Sequence, residues 1–92
     1  MFGHFYFNWK GSSEGLNEYG NKLDAACKRA STKLIGIYAP HQDNWNYVAI
    51  VEGKTMTDIY KTWNEVGWMS KDMTNSIAKY FTEAYPKMDV GI

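Results

Sequence analysis

The stretch from Lys33 to Glu52 constrains this chain more tightly than any other. It reads Lys-Leu-Ile-Gly-Ile-Tyr, then Ala-Pro-His-Gln-Asp-Asn, then Trp-Asn-Tyr-Val-Ala-Ile-Val-Glu. Two runs of β-branched and aromatic residues flank a connector rich in Pro, Asp and Asn, the pattern of a strand, a loop and an antiparallel strand. Successive side chains point to opposite sides of a strand. One face of this hairpin therefore carries Ile35, Ile37, Val48 and Ile50. The other carries Leu34, Gly36, Tyr38, Trp45, Tyr47, Ala49 and Val51. Both faces are apolar, so a chain built on this hairpin has to cover each of them with a layer or a partner.

The flanking segments supply the first layer. Phe2 to Lys10 predicts a strand with Gly3, Phe5, Phe7 and Trp9 on one side and Phe2, His4, Tyr6 and Asn8 on the other. Gly11-Ser12-Ser13 stops it and offers a serine N-cap. Leu16, Tyr19, Leu23, Ala26, Cys27 and Ala30 then recur at helical spacing. Glu18 with Lys22 and Asp24 with Lys28 are favourable pairs four residues apart on its wet side. Gly20 costs that helix up to about 1 kcal/mol relative to Ala, which points to a close contact there. After the hairpin, Thr55 can cap a second helix with an apolar stripe of Met56, Ile59, Tyr60, Trp63 and Val66, ended by Gly67.

The segment from Ser70 to Tyr85 reads as an extra helix, with Met73, Ile77, Tyr80, Phe81 and Ala84 along one side and Pro86 closing it. Lys87 to Ile92 is then a short final edge strand. The resulting order, β-α-β-β-α-(α)-β, describes an α+β, ferredoxin-like sandwich with helices on one face of a four-stranded antiparallel sheet. Phe5, Phe7, Ile35, Ile37, Val48 and Ile50 form the more purely apolar set and are assigned to the helix-covered face.

Ninety-two residues make one domain spanning 1–92. Ten Lys plus Arg balance ten Asp plus Glu, which weakens any attraction to a phosphate backbone or an anionic membrane. One cysteine, Cys27, precludes an internal disulfide and fits a cytoplasmic chain. The N-terminal run lacks the basic region of a signal peptide, and no segment is long enough to span a bilayer. A cytoplasmic protein without membrane partners is expected.

On this assignment the second sheet face carries Phe2, His4, Tyr6, Leu34, Tyr38, Trp45, Tyr47, Ala49 and Val51. Such a patch exceeds what monomers ordinarily expose and calls for a partner. Self-association about a two-fold axis is the commonest solution, and Phe2, Tyr38, Trp45 and Val51 are the expected homodimer contacts.

The run Tyr47-Val48-Ala49-Ile50-Val51-Glu52, leading into a helix that contains Trp63, resembles the dimeric α/β-barrel superfamily, especially its small GYD-type members. The resemblance follows the element order of the whole chain but only about six residues of its sequence, and the extra helix departs from it. It implies two ferredoxin-like protomers packed sheet on sheet, with pockets between sheet and helices. That superfamily includes cofactorless monooxygenases, haem-degrading enzymes, isomerases and ligand-sensing proteins, so it implies architecture and not activity.

No motif specific to one chemistry is present. His4 and His41 are the only histidines, and neither lies at a recognised metal-ligand spacing. Either is suited to proton transfer by its titration near neutrality. Cys27 on an apolar stripe reads as a small core hydrophobe, the serines and threonines as caps, and no glycine-rich phosphate loop occurs. His4, Tyr6, His41 and Tyr47 give aromatic walls with polar tips, the make-up of a small-molecule site without metal or cofactor. The leading expectation is a ligand-binding or regulatory protein. The second is a cofactor-independent enzyme, monooxygenase- or isomerase-like, on an aromatic substrate. A third, RRM-like base stacking of single-stranded RNA on Tyr6, Trp45 and Tyr47, is disfavoured by the zero net charge and by a third strand lacking the basic, glycine and paired-aromatic pattern.

Overall fold

The structure is a computed structural model and describes residues 1–66 and 73–83. Six elements follow one another: β1 (Phe2–Trp9), α1 (Ser13–Arg29), β2 (Lys33–Tyr38), β3 (Tyr47–Glu52), α2 (Met56–Val66) and β4 (Met73–Thr82). The strands form one sheet in the order β2-β3-β1-β4, and every neighbouring pair is antiparallel. This α+β arrangement of four antiparallel strands and two helices is compatible with a ferredoxin-like fold.

β1 is the centre of the molecule. Its Gly3, Phe5, Phe7 and Trp9 are buried and alternate with the partly exposed Phe2, His4, Tyr6 and Asn8. Phe5, Phe7 and Trp9 meet Tyr19, Leu23 and Cys27 of α1 and Ile59 and Trp63 of α2 in the core. Phe5 and Trp63 pack closely, with ring centroids 4.0 Å apart. Gly3 is required here: a β-carbon would come within 2.8 Å of Ile59 Cγ2.

Both helices start as their sequences dictate. Gly15 N–H donates to Ser12 Oγ at 3.0 Å, and Asp58 N–H donates to Thr55 Oγ1 at 3.2 Å. α1 ends with Ser31 in the left-handed region at φ 58° and Thr32 N–H donating to Cys27 O at 2.8 Å. That bond reaches back to the third carbonyl before the cap, the arrangement in which glycine usually supplies the left-handed residue. Asp24 and Lys28 form the expected ion pair at 3.3 Å, and Arg29 pairs with Glu65 across the two helices. Thr62, buried in α2, shares a 2.7 Å hydrogen bond with Thr32 and donates to Asp58 O. No close contact explains Gly20, since a β-carbon there would lie 3.4 Å from Ile37 Cδ1, an ordinary packing distance.

Two expectations are overturned. The segment predicted as an extra helix over Ser70–Tyr85 contains β4 instead, paired along β1 from Phe2↔Thr82 to Trp9↔Met73. The backbone of β1 offers a second edge of hydrogen-bonding groups, and β4 satisfies it. Between Tyr6↔Ala78 and Asn8↔Thr74 the register slips, so four steps of β4 oppose two of β1. The slip inserts two residues and so keeps the side-to-side alternation; what mimics a helix is the sequence itself, in which Met73, Ile77, Tyr80, Phe81 and Ala84 recur at helical spacing. The expected strand over Lys87–Ile92 lies outside the described residues.

The second correction concerns which face of β3 is covered. Cross-strand partners share a face, and β1 aligns Gly3↔Val51, Phe5↔Ala49 and Phe7↔Tyr47. Tyr47, Ala49 and Val51 therefore lie under the helices, with Val48 and Ile50 on the opposite side, the reverse of the expected assignment. The small Ala49 opposite Phe5 suits a core that also receives the Trp63 indole, so size complementarity outweighs the slightly greater hydrophobicity of Val48 and Ile50. In β2 a bulge between Leu34 and Gly36 splits the expected set. Leu34 and Ile37 pack on the core, whereas Ile35 is 37 % exposed.

Candidate functional site

The open face of the sheet carries Phe2, His4, Tyr6 and Asn8 from β1, Val48, Ile50 and Glu52 from β3, and Gly36 and Tyr38 from β2. It is more mixed than the patch expected from sequence, since Val48, Ile50 and Glu52 stand where Tyr47, Ala49 and Val51 were expected. Val48 is nonetheless buried, with Tyr6 and Tyr38 as its cross-strand neighbours on either side. Tyr38 folds back along its own strand, its ring occupying the space a β-carbon on Gly36 would need and its hydroxyl donating to Ile35 O at 3.3 Å. It stays 48 % exposed.

The connector between β2 and β3, residues 39–46, builds a site at one end of this face. It holds no helix or strand, yet side-chain amides fix it at several points. Asn46 acts as a false strand residue: its Oδ1 accepts Trp9 N–H at 2.9 Å, and its Nδ2 donates to Trp9 O at 3.1 Å. Asn8 answers from β1, donating through Nδ2 to Asn44 O at 3.0 Å and accepting Asn46 N–H at 2.8 Å. Gln42 Oε1 takes two backbone donors, Asn44 N–H at 2.7 Å and Trp45 N–H at 3.2 Å. Such bonds replace the ladder that a loop lacks.

Held this way, the loop forms a groove of about 440 Å³ lined by Tyr6, Pro40, Gln42, Asn44 and Trp45. Its described lining holds two aromatic side chains, one proline and two primary amides, and none of these carries a charge. A volume of this size lies within the ordinary range for small-molecule sites, and so does the mixture of apolar walls with a few polar groups.

The residues singled out from sequence divide between the two sides of the sheet. Tyr6 and Trp45 come together in the groove. His4 lies two positions from Tyr6 on the same face, its Nε2 sharing a 3.0 Å hydrogen bond with Thr82 Oγ1 of β4. Phe2 and Tyr38 also lie on the open face. His41 is exposed within the loop and is not among the described residues lining the groove. Tyr47 and Val51 are on the helix side: Tyr47 stacks on Phe7 at 6.0 Å, and Val51 is fully buried. Those two are thus separated from His4 and Tyr6 by the sheet itself. Pro40, Gln42 and Asn44 were read only as connector. Their signal was the density of amides within the loop itself, Gln42, Asn44 and Asn46.

Two further grooves flank the sheet edge. One of about 610 Å³ runs between α1 and β2, lined by Leu16, Asn17, Gly20, Asn21, Asp24, Leu34 and Ile37. A smaller one of about 280 Å³ lies at the turns Ser31–Lys33 and Glu52–Lys54. Between sheet and helices, Phe5, Phe7, Leu23, Ile59 and Trp63 are all fully buried and fill the space where the family resemblance would put a pocket.

Two groups in the core have displaced acidities. Burial pushes the Tyr19 phenol well above its ordinary value of 10.0. Burial also raises the Cys27 thiol; Asp24 nearby adds to the shift and a hydrogen bond with Thr32 opposes it. A thiol held neutral in this way is a packing group, not a nucleophile. Among the described residues, no three His, Cys, Asp or Glu side chains converge on a possible metal position, and no helix is long and apolar enough to cross a membrane. No family model matches the chain, and no curated protein does.

Proposed function

We propose that this protein binds a small molecule on the open face of its sheet and works as a homodimer of ferredoxin-like protomers, in the manner of a dimeric α/β barrel. One observation carries the proposal: the amide-locked 39–46 loop, which sets Trp45 and Tyr6 around one groove. Ordering a loop costs conformational entropy, and a rigid loop at a groove lowers the cost of ordering it again on binding. Asn8, Gln42 and Asn46 give this loop a fixed form before any ligand arrives.

The rest of the open face supports self-association. Two of the three large apolar residues exposed among the described ones, Ile35 and Tyr38, belong to β2 beside it. A second copy covering Phe2, Ile35, Tyr38 and Ile50 would leave the Trp45 end of the face at the rim, accessible to a ligand. The lone buried thiol suits a reducing compartment, and we place the protein in the cytoplasm.

The test is a fragment screen followed by ligand-observed NMR against wild type, Tyr6→Ala, Trp45→Ala and Gly20→Ala. Hits that bind wild type and Gly20→Ala but are lost in both aromatic variants are the expected result. Hits that persist in both aromatic variants would move the site elsewhere.

A further inference from the structure

The groove's described lining does more than mark a site; it selects a chemistry. We infer that the ligand is an uncharged ring compound with an apolar face and an exposed carbonyl or hydroxyl oxygen, an inference that rests on the ligand-binding reading above.

Three features lead there. First, the walls include the Trp45 indole and the Tyr6 ring, with Pro40 beside them. Flat aromatic surfaces reward ligands that can lay a ring face against them, and removing one such stacking partner typically costs about 1–3 kcal/mol. Second, Tyr6, Pro40, Gln42, Asn44 and Trp45 include no cation and no carboxylate. An ionised ligand would lose water against these walls and gain no counter-charge from them, which is unfavourable. Third, the amide of Gln42 is already oriented. Its Oε1 is committed to Asn44 N–H and Trp45 N–H, which leaves Nε2 as the donor half of a groove-lining side chain. A donor at the rim calls for an acceptor oxygen on the ligand.

Two sources share this chemistry: a planar aromatic carbonyl compound and a sugar, whose C–H face also packs on aromatic rings. The experiment separates them. Coumarin, coumarin-3-carboxylate and cellobiose are each titrated to about 10 mM, a range that detects even millimolar affinity. The readout is the Trp45 indole N–H resonance of the full-length wild type, assigned by its loss in Trp45→Phe.

A shift with coumarin or with cellobiose is expected, and whichever acts names the source. The carboxylate should bind about tenfold more weakly than the active neutral probe. Gln42→Glu keeps an acceptor for the two loop N–H groups and removes the Nε2 donor. It should weaken binding of the active neutral probe about fivefold or more while leaving the loop's amide resonances in place. Carboxylate binding as tight as the active neutral probe, or a Gln42→Glu variant that binds that probe unchanged, overturns the inference alone. Silence from all three probes overturns both the inference and the reading on which it rests.

Discussion

The two faces of this sheet are made from the same strands and both carry aromatic and branched apolar residues, yet they are organised by different forces. On the helix side, Phe5, Phe7, Ala49, Val51, Ile59 and Trp63 are all fully buried and interlock by size. On the open side, Tyr6, Tyr38 and Trp45 retain exposure, and polar side chains set the geometry: Asn46 on Trp9, Gln42 on the loop backbone, Tyr38 on its own strand. The comparison teaches that apolar content does not by itself say which side of a sheet is core. Complementarity with the covering layer decides that, and hydrogen bonds arrange what is left outside.

The sharpest way to break the contrast is to truncate one indole on each side. Trp63→Ala empties the space against Phe5 and should destabilise the protein by about 3–5 kcal/mol in urea denaturation. Trp45→Ala should cost no more than about 1 kcal/mol, since its ring is partly exposed, while abolishing ligand binding. Equal losses would mean that the open face is a second core.

A polar break comes next. Asn46→Ala removes the two side-chain hydrogen bonds to Trp9 and should cost about 1–3 kcal/mol, seen as a lower thermal midpoint. Hydrogen exchange should accelerate at Trp9 and across residues 42–46 and stay unchanged at Leu23 and Val51. Uniform acceleration would show that the loop is not an independent feature.

Core acidity offers a third contrast. Tyr19 and Cys27 are neutral when protonated, and burial raises both above their ordinary values of 10.0 and 9.0. The unfolded chain therefore releases these protons at lower pH than the folded one. Their contribution is fully present below the ordinary thiol range and is lost progressively as pH rises through it and through the phenol range. Urea midpoints should fall above about pH 9 in wild type and fall less in Tyr19→Phe. An identical decline in the two would remove Tyr19 from the account.

The smallest expected effect is a gain. Gly20→Ala fits at ordinary packing distance from Ile37 and should stabilise α1 by up to about 1 kcal/mol, read as a higher urea midpoint. A loss would reveal a constraint on the α1–β2 groove.

Much of this fold is legible in the sequence, and the failures have physical causes. The hairpin, both described helices, a serine cap for α1, the Thr55 cap and the two faces of β1 follow from periodicity and turn chemistry. β4 does not, because Ile77-Ala78-Lys79-Tyr80-Phe81 shows no clean apolar–polar alternation while Met73, Ile77, Tyr80, Phe81 and Ala84 fall at helical spacing. The covered face of β3 does not either: Val48 and Ile50 compete closely with Ala49 and Val51 in hydrophobicity, and only the alignment with Phe5 and Phe7 separates them. At the candidate site, Tyr6 and Trp45 are visible as aromatics flanking an open face. The amides that hold them are not, because Asn8, Asn44 and Asn46 meet only once β1 and the loop are side by side.

The measurement that tests the central claim most directly is the solution mass, by light scattering after size exclusion at several concentrations, for wild type and for an Ile35→Glu/Tyr38→Glu variant. The open face is held to be a contact surface. Wild type should run at twice the 10.6 kDa chain mass and the variant at the single-chain mass, with the same far-UV circular dichroism. A wild-type monomer at every concentration, or a variant dimer indistinguishable from wild type, would contradict it.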